Sequence, residues 1–300
     1  MKYLYYPGCS LRSTGRAYEE SMLAVFRHMG IELSELEDWN CCGATSYVSI
    51  DETRAFTLAA RNLSIAEREN SKGGDAPLVV PCAACYLVLS KTQHYLNEYP
   101  EVHQKVCAAL NAAGLKYRGT TAVRHPLDLL VNDIGIDRIA SLVKVKLTGI
   151  RVASYYGCQI VRPFPGFDHP FYPTSMDRIV KALGAEPIDW DLKTRCCGGS
   201  LTGTMPSTGL RLNRIILREA KRKGADAIVT ACPLCQFNLE CYQDQISRKF
   251  KISVDVPPLF FTQLMGLAFG LPEKSLGLKR MFRKPKFMER TWKGGAVAHV

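Results

Sequence analysis

Apolar positions along the chain switch between two rhythms. Residues 2–6 and Arg151–Tyr155 are short runs rich in aromatic or β-branched side chains that end at a turn, which predicts strands. After the first run, Tyr18, Met22, Val25, Phe26 and Met29 keep helical spacing and Gly30 follows as a stop. After the second, Met176, Ile179, Val180 and Leu183 do the same, with Gly184 as the stop. Phe56, Ala59, Ala60 and Leu63 mark a further helix, and Leu212, Ile215, Ile216 and Ala220 mark its counterpart. Uninterrupted apolar runs at 78–80 and 227–230 then read as buried strands. Strands alternating with helices predict α/β domains with mainly parallel sheets.

The pattern is written twice. YYPGC at 5–9 answers YYGC at 155–158, NCCGA at 40–44 answers RCCGG at 195–199, and PCAAC at 81–85 answers ACPLC at 231–235. The first cysteines are offset by 149 residues, the Cys-Cys pairs by 155 and the CxxC motifs by 150. A repeat kept in this order implies duplicated, pseudo-symmetric domains. The expected organisation is a first domain at 1–147, a second at 148–272 and a basic C-terminal tail at 273–300.

Composition changes this picture in three ways. Hydrophobic residues at 47% and charged residues at 22% are those of an ordinary globular protein, so no disulfide framework is needed for stability. The longest apolar segment, LFFTQLMGLAFGL at 259–271, has 13 residues where a spanning helix needs about 20. It reads as a buried helix, so no membrane span is expected. The N-terminus shows no apolar run of signal-peptide length, and the expected location is cytoplasmic. The net charge is +11, and residues 273–300 contribute eight Lys or Arg against two acidic residues. Such a segment is either a solvated tail or a dock for an acidic partner. No nucleic-acid-binding pattern accompanies it, so no nucleic acid is expected as a partner. No dinucleotide fingerprint or P-loop is present either, so no nucleotide cofactor is expected on this chain.

The cysteines carry the chemistry. There are 12, too many for a chain with no export signal unless they serve metal or redox work. Each half has one Cys, a Cys-Cys pair and a CxxC; Cys107 and Cys241 lie outside the pattern and read as ordinary buried thiols. In each half the single Cys and the CxxC follow strands, where functional groups of parallel sheets collect. Each CxxC also opens a helix, where the dipole favours thiolate. A zinc ion or a cubane cluster takes four cysteines, and five per half exceeds both needs. A thioredoxin-like pair or structural zinc on four thiols stays open at this point. Arg12, Arg16, Arg162, Lys193 and Arg195 lie close in sequence to the cysteines and are candidates to offset thiolate charge or hold an anionic substrate. His125 has no counterpart in the second half, which makes it a candidate proton donor. A structural role is the plainer reading for it and for His169.

These motifs resemble the CCG-domain family, specifically the B subunit of heterodisulfide reductase and the similar subunits of sulfur-oxidising complexes. The likeness runs over residues 1–272 and includes FDHPFYPTSMD, LGAEPIDW, KTRCCGG and FTQLMGLAFG. Of the intervals, 31 and 39 residues in the first half and 37 and 34 in the second, only the 39 is long. The resemblance implies two [4Fe-4S] clusters of noncubane type, one per half. By resemblance Cys9, Cys41, Cys42, Cys82 and Cys85 bind one, and Cys158, Cys196, Cys197, Cys232 and Cys235 the other. It implies reductive cleavage of a disulfide, or the reverse, between the two clusters. It implies as partners a ferredoxin-like C subunit and a flavin-containing A subunit, with a disulfide or sulfur-carrying substrate. Gly43, Gly198 and Gly199 fit close backbone approach to such a cluster. The alternative is an electron-transfer or scaffold subunit with ordinary cubanes or zinc.

Overall fold

The computed structural model describes residues 1–44, 46–164 and 166–291. It contains two four-stranded, all-parallel sheets. In the first, β1 (Lys2–Tyr5), β2 (Glu32–Glu35), β3 (Leu78–Val79) and β4 (Val123–Arg124) lie in the order β2-β1-β3-β4. In the second, β5 (Arg151–Tyr155), β6 (Glu186–Pro187), β7 (Ala227–Thr230) and β8 (Pro258–Phe260) lie in the order β6-β5-β7-β8. The two orders are the same topology, which is what a duplicated unit requires. The central strands are buried beyond their first residues, and β7 throughout, because parallel sheets are covered by helices on both faces.

The principal helices in chain order are α1 (Arg16–His28), α2 (Glu52–Asn70), α3 (Ala83–Glu98), α4 (Pro100–Ala112), α5 (Ser175–Ala182), α6 (Pro206–Arg222), α7 (Pro233–Cys241), α8 (Gln243–Phe250) and α9 (Phe261–Ala268). The Asp51 carboxylate caps α2 by accepting from the Arg54 N–H at 3.0 Å. On α2, α3 and α4, Phe56, Ala60, Leu96, Val106 and Leu110 form one buried cluster. Helix α9, the expected buried helix, is buried at every residue.

The chain divides into two compact units, Met1–Ser13 with Phe26–Pro126, and Thr14–Val25 with the chain from Leu127 onward. The boundary expected at 147/148 does not coincide with them. Residues after Pro126 join the second unit: the Lys144 and Val145 N–H groups both donate to the Ala268 carbonyl at 2.9 Å, and Leu147 N–H donates to Leu183 at 3.0 Å. Most of α1 joins it too, through Tyr18 stacked on Phe260 at 4.6 Å and a 2.7 Å hydroxyl bond between Ser21 and Thr262.

Nor is the segment after Pro272 a solvated tail as far as Met288. Leu276, Leu278, Phe287 and Met288 are buried. The Arg280 guanidinium holds Glu20 at 2.7 Å, and Arg283 is paired with Asp244 and, at 3.1 Å, with Asp255. The apolar residues in this basic segment decide its fate, because their burial outweighs the solvation of its charges. Trp292 lies outside the described residues.

Candidate functional site

In each unit three loops bring five equivalent cysteines to the carboxyl ends of the strands. The turn after β1 carries Cys9, the loop after β2 carries Cys41 and Cys42, and the turn after β3 carries Cys82, which caps α3, with Cys85 in its first turn. In the second unit β5, β6 and β7 position Cys158, Cys196 with Cys197, and Cys232 with Cys235 in the same way. The exposure pattern also repeats. The second cysteine of each pair and both CxxC cysteines are buried, whereas Cys9, Cys41 and Cys196 are exposed and Cys158 is half-buried. Each set therefore has three inner thiols and two that face outward.

The inner thiols touch. Cys42 Sγ and Cys85 Sγ are 3.2 Å apart, and Cys197 Sγ and Cys235 Sγ are 3.6 Å apart. Glycine makes this possible. Gly8 and Gly157 have φ of +67° and +68°, and an added Cβ would stand 2.9 Å from Cys85 Sγ and 3.0 Å from Cys235 Sγ. The backbone after each pair serves the sulfurs: Gly198 N–H donates to Cys196 Sγ at 3.3 Å and Gly199 N–H to Cys197 Sγ at 3.5 Å. In the first unit the Gly43 and Ala44 N–H groups stabilise the Cys41 and Cys42 thiolates.

Crowding sets the protonation of these groups. Thiol donation from Cys41 and Cys85 holds Cys42 well below the ordinary thiol range, and the thiol of Cys85 lowers Cys82. Donation from Cys158, aided by the Gly198 N–H and by Arg162 and Arg195, brings Cys196 down to about 6. Donation from Cys235 brings Cys197 to about 7. The donors shift the other way: Cys41, Cys85, Cys158 and Cys235 are pushed up by those same bonds and by burial. Five thiolates this close cannot all be ionised without a strong positive charge among them.

Side chains that hold the loops were not singled out from the sequence. Tyr6 Oη donates to the Asn40 carbonyl at 2.7 Å, and Tyr155 Oη donates to the Arg195 carbonyl, the residue before the cysteine pair in both cases. Burial pushes both phenols up, and the nearby thiols add to it. Fully buried Asn62 and Asn213 grip the same loops: Asn62 accepts from Asn40 N–H at 2.9 Å, and Asn213 donates to the Cys197 carbonyl at 2.9 Å. The signal was present, since a Tyr stands three residues before the first cysteine in both copies and a lone Asn interrupts the apolar face of both helices. Asn238 has no such repeat; its amide approaches Cys197 Sγ at 3.5 Å and Gly199 O at 2.8 Å.

The other candidates divide. Arg162 donates to the Thr194 carbonyl and, with Arg195, acts on Cys196. Lys193 instead is buried against Asp177 at 3.0 Å, while Arg12 pairs with Glu35 and Arg16 with Glu20. His125 is fully buried, with Nε2 3.1 Å from the carbonyl of Pro81, just before Cys82. His169 Nδ1 accepts from the Phe171 and Tyr172 N–H groups on an exposed loop. Cys107 and Cys241 are half-buried rather than buried.

The chemistry of the donor set is compatible with an iron–sulfur group. Soft thiolates suit iron–sulfur groups, the glycines leave room at the sulfurs, and the charge crowding needs a cation. Among the described residues, no three His, Cys, Asp or Glu side chains stand close enough to hold a metal ion as they are placed.

The cysteine-rich domain model, CCG, matches the chain twice, at residues 3–90 and 152–240, and the chain belongs to that family. It is 33% identical over 279 residues, 92% of this chain and 95% of the relative, to the 8-methylmenaquinol:fumarate reductase membrane anchor subunit of Wolinella succinogenes. It is 32% identical to a protein of Archaeoglobus profundus described as like the B subunit of heterodisulfide reductase, over 93% of this chain and 94% of that one. To the B subunit of the ferredoxin/F(420)H(2)-dependent CoB-CoM heterodisulfide reductase of Methanosarcina acetivorans it is 28% identical over 91% of each. A hypothetical protein from Helicobacter pylori shares the fold, with a TM-score of 0.74 and 16% identity over 95% of this chain and 52% of that one. This chain is thus a heterodisulfide-reductase-like subunit, homologous to subunits of multi-subunit oxidoreductases. No described helix is long and apolar enough to cross a membrane.

Proposed function

We propose that this chain is the disulfide-handling subunit of a heterodisulfide-reductase-like complex, with one noncubane [4Fe-4S] cluster on each five-thiol set. Cys9, Cys41, Cys42, Cys82 and Cys85 hold one; Cys158, Cys196, Cys197, Cys232 and Cys235 hold the other. The observation that carries this reading is the repeated exposure pattern, three inner and two outward thiols in both units. A purely structural metal needs no outward pair, whereas a centre that meets a sulfur substrate does.

Each cluster supplies single electrons and iron with affinity for sulfur. The residues of this chain do the rest. The inner thiols and the Gly8 and Gly157 turns anchor the group on rigid strand ends. Tyr6, Tyr155, Asn62 and Asn213 fix the loops of the cysteine pairs. Arg162 and Arg195 place positive charge beside Cys196, where an anionic sulfur compound would be held. His125 keeps the turn before Cys82 in place through Pro81 and is the candidate proton donor. A ferredoxin-like C subunit and a flavin-containing A subunit would exchange electrons with it, in the cytoplasm.

The second reading, an electron-transfer subunit with cubane clusters, draws on the 33% identity to a fumarate reductase subunit whose name carries no disulfide. Turnover separates the two. Anaerobically purified chain with reduced methyl viologen and a mixed disulfide should consume two electrons and two protons and release two thiols per disulfide. Cys42→Ser should abolish it. An iron-loaded chain that reoxidises with other acceptors but never with a disulfide favours the second reading.

A further inference from the structure

Helix α6 carries an arginine ridge that the sulfur chemistry does not use. Arg211, Arg214, Arg218 and Arg222 are spaced three, four and four residues apart, so they share one face. The equivalent helix α2 has three basic and three acidic residues, whereas α6 has four arginines, Lys221 and one acidic residue. The duplicated fold therefore does not require the ridge.

Arg214, Arg218 and Arg222 line a cavity of about 410 Å³, together with Asp191, Leu192 and Ile215. Arg222 is engaged, with its fork held by Glu219 at 2.6 and 2.7 Å. Arg214 is not: its guanidinium lies 4.6 Å from the Phe250 ring centre, and its Nε is buried without a hydrogen-bond partner. Arg218 makes no hydrogen bond or salt bridge among the described residues. A guanidinium that is stacked, partly desolvated and unpaired is ready to receive a carboxylate in two-point geometry. Arg280 and Arg283, by contrast, are paired with acidic groups of their own chain.

We infer that this groove docks the acidic surface of a partner protein, with Arg214 and Arg218 as the receiving groups. Charge complementarity selects the occupant. Asp191 and Glu219 interrupt the ridge and would repel a continuous polyanion, but they suit a protein face that mixes carboxylates with other groups. Phe250 is covered by Arg214 and Lys249, so no bare ring is offered for base stacking. The position is suited to communication with the thiols. Asn213, beside Arg214, bonds the Cys197 carbonyl, and Leu192 in the groove wall accepts from Arg195 N–H at 3.2 Å. From Leu192 to Cys196 the chain can span at most about 14 Å. The surface goes beyond the cluster reading and does not depend on it.

The test uses the full, anaerobically purified chain and three labelled probes: an Asp- and Glu-rich peptide, an oligothymidylate and phosphatidylserine vesicles. Arg214→Gln with Arg218→Gln should weaken the peptide about fivefold or more at low salt, and added salt should erase the difference. A matched pair, Arg138→Gln with Lys274→Gln, removes the same charge from positions elsewhere and should leave peptide binding unchanged. If the ridge variant misfolds by circular dichroism, Arg218→Gln alone should still weaken the peptide measurably. Equal peptide binding in both charge-matched variants, or no peptide binding at all, overturns the inference. So does a ridge variant that loses the oligothymidylate or the vesicles but keeps the peptide.

Discussion

Replacing Gly8 by Ala probes how closely the backbone is fitted to the sulfur floor. Two costs arise. The φ of +67° lies in the left-handed region, where an L side chain costs about 1–2 kcal/mol. The new Cβ would also fall 2.9 Å from Cys85 Sγ, a separation that real structures do not tolerate, so the sulfur or the turn must move. Gly30 is the built-in control. Its φ is +74°, but nothing lies within 4 Å of an added Cβ. Gly30→Ala should therefore show the backbone cost alone, a loss of roughly 2–4 °C in melting temperature per kcal/mol, with iron content unchanged. Gly8→Ala should be destabilised as much or more and lose about half of the bound iron, because only the first thiol set is disturbed. The assay pairs thermal melts with iron and sulfide determination on anaerobic preparations. Full iron in Gly8→Ala, or equal iron loss in Gly30→Ala, would refute the fitted-floor argument.

Tyr155→Phe leaves the Arg195 carbonyl without its phenol partner and should cost about 1–2 kcal/mol in urea unfolding, with loosening confined to the second unit in hydrogen exchange; an unchanged exchange pattern would count against the tyrosine as a brace. Asn213→Ala should cost about 1–3 kcal/mol and reduce iron in the second set, because a fully buried amide is lost from the Cys197 carbonyl. In the metal-free chain, iodoacetamide followed by mass spectrometry should label Cys9, Cys41 and Cys196 before Cys82, Cys85, Cys232 and Cys235, and loading with iron and sulfide should protect all of them; labelling in the reverse order would contradict the inner and outer division. Leu276→Ala should destabilise by about 2–4 kcal/mol where Arg280→Ala costs under about 1, since the first is fully buried and the second makes an exposed pair; equal losses would mean that charge, not burial, holds the C-terminal segment.

Much of the fold could be read before any coordinates, and the reasons are local. Arg151–Tyr155 and Ala227–Thr230 are strands with the boundaries that their apolar runs predict. The CxxC motifs open helices as expected, with Cys82 and Cys232 at the caps. The edge strands were harder. Glu32–Glu35 reads ELSE and Glu186–Pro187 is only two residues long, so neither has a periodic apolar signature. They form because a central strand offers its free edge, which is tertiary information. The fate of Thr14–Val25 and of the segment after Pro272 is tertiary as well. Tyr18, Leu276 and Phe287 reveal apolarity in the sequence but not which surface will bury it. At the candidate site, the spacing of the duplicated motif singled out the ten cysteines that the fold carries to the strand ends, whereas Tyr6, Tyr155, Asn62 and Asn213 act through backbone carbonyls and amides that no side-chain pattern records.

The central claim is that both five-thiol sets carry an iron–sulfur cluster through all five cysteines. Iron and acid-labile sulfide, measured on anaerobically purified wild type beside single Cys→Ser variants at each of the ten positions, test it most directly. The account predicts about eight irons per chain, a loss of about four when an inner thiol of one set is replaced, and altered Mössbauer parameters when an outer one is replaced. Zinc in place of iron, or a set in which Cys41 and Cys42 can both be replaced with no change in iron or spectrum, would contradict it.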